Sequence, residues 1–171
     1  MTKPVQPWHV PIRLEDVPET GLHLDLTADE RVRADLAVLA GVPGVPRLEA
    51  VIDVARQGTR LRATGRVSAT VAQTCVVTLE PMENQVDEPI DVIFAPPSAQ
   101  DSSDGAPLEA EDPPEVLSNG TADLGAIAAE FLLLGIDPYP RKPGVEFSPP
   151  ADEGTGASPF AALAKLKDAR R

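Results

Sequence analysis

The sequence predicts an α+β fold, a curled, barrel-like antiparallel meander covered by two helices. Three observations lead there. Between residues 47 and 79, apolar and polar residues alternate at period two, as in strands with one buried face. Two stretches, 28–40 and 123–135, space their apolar residues as helices do. Only 4% of the 171 residues are aromatic, so the core must come from the Val, Leu, Ile and Ala that carry these patterns.

The elements follow in order. Pro7 and Pro11 suit an extended arm or edge strand, because proline cannot donate to a ladder. The segment LHLDL at 22–26 alternates as a strand. Thr27 and Glu30 have the spacing of a capping box, and Val32, Leu36, Leu39 and Ala40 then fall on one helical face up to a stop at Gly41. After the connector at 42–46, Leu48, Ala50, Ile52 and Val54 share one strand face, with Arg47, Glu49 and Asp53 opposite. A turn at 57–59 leads to Leu61, Ala63, Gly65, Val67, Ala69 and Val71, with Arg60, Arg62 and Arg66 among the residues opposite. Cys75, Val77 and Leu79 continue this parity past a bend near Gln73, as far as Glu80-Pro81. Val86, Ile90, Val92 and Phe94 make a further strand, closed by Pro96-Pro97.

Residues 98–115 are acidic, proline-rich and poor in large apolar groups, which predicts a mobile loop. Asn119-Gly120 is a short-hairpin signal. In the second helix Leu124, Ile127, Ala128, Phe131 and Leu132 line one face, Leu133 and Leu134 widen it, and Gly135 weakens the end. This helix is expected to lie across the open face of the sheet. Prolines 138, 140 and 143 favour polyproline geometry. The predicted organisation is one domain over 1–147, a flexible linker over 148–158 and a basic amphipathic segment over 159–171.

Net charge is -12, from 15 Lys and Arg against 27 Asp and Glu. That argues against a general nucleic-acid coat or a basic membrane binder. No apolar run approaches the roughly 18 residues of a membrane span. The first ten residues lack the apolar centre of a secretion signal, and a single cysteine fits a reducing cytosol. A cytoplasmic protein is expected.

Chemistry is sparse. His9, His23 and Cys75 do not make a metal site, and no phosphate-binding glycine motif occurs, so neither metal nor cofactor is expected. Cys75 shares parity with Val77 and Leu79 and reads as a small core residue on a strand rather than a nucleophile. His9 and His23 lack a nucleophile and an orienting partner nearby in sequence. An enzyme is therefore not expected; if there were one, Cys75 or His23 would be its residue. The arginines at 60–66 read as cross-strand partners of Glu49 and Asp53 in preference to an RNA-contacting patch.

Two proline-bounded segments suggest binding. YPRKPG at 139–144 contains the only tyrosine and an Arg-Lys pair. It reads either as a strap over the second helix or as a partner contact. PFAALAKLK at 159–167 is too short to be stable as an isolated helix, and such segments often fold in a groove.

The run TCVVTLEP at 74–81, then VDEPIDVIFAPP, LGAIAAEFLLLGIDPYPRKPG and SPFAALAKLK, resembles the YceD-type proteins, the large ribosomal RNA subunit accumulation proteins, in their alphaproteobacterial branch. The resemblance implies a non-enzymatic cytoplasmic factor. It would support 23S ribosomal RNA accumulation and large-subunit assembly by binding a large-subunit ribosomal protein, precursor 23S rRNA or both. An acidic structural module of another complex is the alternative. Many relatives carry a second cysteine three residues after the first; here that residue is Thr78. Tyr139, Arg141, Lys142, Pro143, Phe160 and Leu163 match the terminal motifs. With Lys165 from the same basic segment, they are the candidate partner contacts.

Overall fold

Strands β3 (Gly44–Gln57), β4 (Arg60–Thr74) and β5 (Pro81–Ala95) form a meander of long antiparallel strands in a computed structural model that describes residues 7–97 and 114–147. The predicted linker, the terminal segment and residues 98–113 of the predicted loop lie outside the described residues. Strand β2 (Leu22–Thr27) pairs antiparallel with β3, and β6 (Glu115–Val116) pairs parallel with β5. The sheet order is β2-β3-β4-β5-β6, so the sheet is open, with β2 and β6 as its edges and no barrel closure. Glu115, expected in the loop, is instead bonded into β6 opposite Phe94.

Burial follows the predicted parity. Leu48, Ala50, Ile52 and Val54 of β3 are buried, as are Leu61, Ala63, Val67, Ala69 and Val71 of β4, with Val86, Ile90 and Phe94 from β5. Gly65 lies in the same series. The β3 backbone passes so close that a Cβ at Gly65 would stand 2.0 Å from the Val51 carbonyl oxygen. Helix α1 (Glu30–Ala40) packs on β3 through Leu36 and Ala37. It ends at Gly41 (φ 66°), where the Gly41 and Val42 amides return to the Val38 and Ala37 carbonyls.

The cap of α1 differs from expectation. Thr27 stays in β2, opposite Glu49, because the ladder continues until the Ala28 amide reaches the Leu48 carbonyl at 3.0 Å. Asp29 is the N-cap, its carboxylate accepting the Val32 amide at 2.8 Å. Asp29→Ala is expected to lower stability by about 1 kcal/mol, and Thr27→Ala by less than about 0.5 kcal/mol, in urea unfolding followed by circular dichroism.

The strand predicted to run to Leu79 stops at Thr74. Residues 75–80 are the β4–β5 turn, closed by Cys75 N–H to the Glu80 carbonyl and Leu79 N–H to the Cys75 carbonyl, both 2.9 Å. Leu79 has φ 59° and is 77% exposed. Parity alone cannot separate a strand that continues from a tight turn that also points Cys75 inward, and the chain uses the turn.

Helix α2 (Leu124–Gly135) covers β4 and β5 with Leu124, Ile127, Ala128, Ala129 and Leu132. Leu134 does not widen this face; it is 74% exposed. Gly135 brings the helix end onto β5, where a Cβ would meet Val86 and Glu88 side chains at 2.6 Å. The N-terminal arm is an edge element, as predicted. Its strand β1 (Pro11–Arg13) pairs with β7 (Thr121–Asp123), and Trp8 is buried. Asp123 fastens this arm to α2. Its carboxylate accepts the Ala126 amide as N-cap and the Val10 amide at 2.9 Å, and it lies 2.7 Å from the His9 imidazole. The Asn119-Gly120 turn has both residues at positive φ, with Ser118 and Thr121 exchanging 3.1 Å backbone bonds. It hands the chain from β6 in one sheet to β7 in the other. Among the described residues no helix is long and apolar enough to cross a membrane.

Candidate functional site

The proline-rich stretch 136–147 leaves α2 and folds over the β4–β5 turn, whereas one of the two readings of residues 139–144 is a strap over the second helix. The reason is a set of polar groups at that end of the sheet, each needing a partner. Gln73, the buried polar residue of β4, donates from Nε2 to the Asp137 carbonyl at 2.7 Å and accepts from Asn84 Nδ2 at 2.6 Å. The Val76 amide donates to the Pro140 carbonyl at 2.9 Å, and Pro140 is buried. Asp137 folds its own strap by accepting the Tyr139 amide at 2.8 Å, an Asx turn. Gly144 (φ 75°) and the Val145 amide to the Lys142 carbonyl bend the chain away again.

Cys75 stands at the centre of this clasp. It is fully buried, in the turn rather than on a strand face, and its sulfur accepts the Thr78 amide at 3.5 Å and the Lys142 amide at 3.4 Å. Hydrogen bonds from Thr78 come first and those from Lys142 next in favouring the thiolate; burial opposes them, and the thiol is lowered from 9.0 to about 6. Because the folded state favours the anion, its contribution is complete above the unfolded value near 9 and is lost as pH falls through about 6. The difference in urea midpoint between the native chain and Cys75→Ala is therefore expected to widen as pH rises from 6 to 9. A constant difference over that range would contradict it.

The four described candidate contacts lie together here. Tyr139 is 72% exposed, and Arg141 and Pro143 are exposed beside it. Lys142 is tied down: its Nζ meets Glu80 at 2.7 Å, and this bond and charge hold the Glu80 carboxyl below its usual range. Val76 and Leu79 add apolar surface on the turn. Phe160, Leu163 and Lys165 lie outside the described residues. Sequence reasoning missed Gln73, Asn84 and Glu80, which hold the clasp; an internal amide pair leaves no periodic signal.

Two arginines of the 60–66 face, Arg62 and Arg66, meet carboxylates of the following strand, where Glu49 and Asp53 of the preceding strand were the expected partners. Arg62 pairs with Asp91 through two bonds, at 2.9 and 2.7 Å, which hold the Asp91 carboxyl low, and Arg66 meets Asp87 at 3.0 Å. Asp53 is taken by His23 at 2.6 Å, and Glu49 by Arg47 at 2.8 Å. Asp53 first, and Asp25 less strongly, raise the His23 imidazole above its usual 6.5. The hydrogen bonds to the Cys75 sulfur come from Thr78 and Lys142, and His23 and His9 are instead bonded to Asp53 and Asp123.

Comparison with curated proteins and with solved structures finds no match. A family model described as large ribosomal RNA subunit accumulation protein YceD matches residues 63–167, a range that takes in most of β4, the turn, β5, α2 and the clasp. With more than half of its length matched, and with the clasp inside the matched range, the chain belongs to the YceD family of large ribosomal RNA subunit accumulation proteins.

Proposed function

We propose that this protein is a non-enzymatic cytoplasmic factor that supports 23S rRNA accumulation and large-subunit assembly by contact. Its foremost partner would be a basic large-subunit ribosomal protein, with precursor 23S rRNA second. The family match over residues 63–167 carries the reading. Charge orders the partners. At -12 the chain attracts cations and repels phosphate. The arginine face offers RNA little net charge, because Arg62 and Arg66 are already opposite carboxylates. Complementary charge would speed encounter with a basic protein and discourage wrong partners. Tyr139, Arg141, Lys142 and Pro143 are the nearest described contacts, with Phe160, Leu163 and Lys165 joining them in this proposal.

The test is recovery of the tagged full chain from cells at low salt. Enrichment of a large-subunit ribosomal protein, lost as salt rises, is expected. Loss of the gene should lower the ratio of large to small subunits. Recovery of neither ribosomal protein nor precursor RNA, or an unchanged subunit ratio, would overturn the proposal.

A further inference from the structure

The outer edge of β2 is bare among the described residues. The phase of its backbone follows from one bond. Ala28 continues the β2–β3 register and donates to Leu48, so the even-numbered residues of β2 send their backbone groups to β3. His23, Asp25 and Thr27 therefore send N–H and C=O outward, where β2 has no second neighbour. All three residues are exposed. Their side chains share a sheet face with Asp53, Val51 and Glu49 through the cross-strand register.

Along the β2 edge this face carries three carboxylates, those of Asp25, Asp53 and Glu49, against Arg47 and His23, while Arg66 opposite Val51 is held by Asp87. Asp25 is 77% exposed at its side chain and Asp53 67%, with Glu49 further along. His23 lies between Asp53 (2.6 Å) and Asp25 (3.6 Å), and Arg47 offsets Glu49. Val51, 43% exposed, gives an apolar spot between the carboxylates. A second copy fits poorly. Antiparallel pairing of two β2 edges about Asp25 would oppose like charges. The same carboxylates repel a phosphate backbone.

We infer that the β2 edge is a docking strand for an extended Lys- or Arg-rich segment of a partner protein, which joins the sheet as a sixth strand through His23, Asp25 and Thr27. Backbone bonds supply the attachment, and the carboxylates select cationic side chains over acidic ones. The inference rests on the proposed reading of the partner as a basic protein.

Hydrogen exchange on the full chain tests it, with a short synthetic peptide of alternating lysine and valine as probe and its glutamate counterpart as control. The lysine peptide should slow exchange of the His23, Asp25 and Thr27 amides by roughly tenfold, corresponding to about 1.4 kcal/mol. The glutamate peptide should leave them unchanged. Asp25→Pro removes both the outward-facing donor and the carboxylate, and should abolish protection at His23 and Thr27, whereas loss of the carboxylate alone is read from Asp25→Asn. Asp25→Asn keeps the backbone and should weaken binding severalfold. Should the proline variant fail to fold, exchange in the native chain still decides. No protection, equal protection by both peptides, or amides already protected in the free chain by a second copy or by its own termini would each overturn the docking strand. Capture of a basic ribosomal protein in cells without protection of these amides would overturn this inference alone. Capture of neither ribosomal protein nor RNA would overturn the proposed function with it.

Discussion

Gly65→Ala is expected to cost about 3 kcal/mol or more and to lower the thermal midpoint by about 10 °C. Two opposing effects meet at this position. Alanine restricts the unfolded chain and would by itself stabilise the protein by about 0.5 kcal/mol. Its Cβ, however, would lie 2.0 Å from the Val51 carbonyl oxygen and 2.9 Å from the Ile52 Cα. Both obstacles are backbone, held in the β3–β4 ladder by the pairings Val51↔Arg66 and Ile52↔Gly65. Relief requires β3 and β4 to separate locally, and overpacking outweighs the entropic gain. Gly44→Ala is the control. Its added Cβ would meet only the Ala72 Cβ at 4.0 Å, an ordinary contact, and a change below about 1 kcal/mol is expected. Urea unfolding of both variants checks the pair; equal midpoints would show that β3 does not press on Gly65.

Gln73→Met is expected to cost about 2–3 kcal/mol and to release the clasp before the rest of the sheet. Methionine fills a similar volume, so loss of packing is not the cause. The substitution strands two partners at once, the Asp137 carbonyl and the Asn84 amide, where Gln73 itself is only 6% exposed. Gln73→Glu should do no better. It keeps an acceptor for Asn84 but turns a second oxygen toward the Asp137 carbonyl and buries a charge. The specific readout is exchange of the Val76 and Lys142 amides, bonded to the Pro140 carbonyl and the Cys75 sulfur. They should exchange faster relative to the β3 amides. Uniform acceleration across the sheet would assign Gln73 to general core stability instead.

The inward sets of β3 and β4 were legible because each strand buries one face, and burial of one face writes period two into a sequence. Gly41 and Asn119-Gly120 were legible because few residues adopt positive φ cheaply. What failed depended on contacts distant in sequence. Asp29 displaced Thr27 as cap because the β2–β3 ladder runs one residue further than the local motif implies. Arg62 and Arg66 chose β5 over β3, a choice of neighbour that alternation cannot express. The strap went to the β4–β5 turn because Gln73 and the Val76 amide await it there. Tyr139, Arg141, Lys142 and Pro143 were picked out by composition and by resemblance, not by any spacing that demanded a clasp.

The fastening of the N-terminal arm at Asp123 has a consequence for synthesis. Val10 and Asp123 are 113 positions apart, and β1 closes on β7 across a similar span. Such closure cannot begin until the distal half of the polypeptide has left the exit tunnel. Until then the nascent meander displays Leu61, Val67, Ile90 and their neighbours to solvent, with α2 unmade. A protein linked to ribosome manufacture thus spends its own translation with an uncovered hydrophobic sheet, and a trigger for aggregation or chaperone capture is built into the order in which its parts emerge.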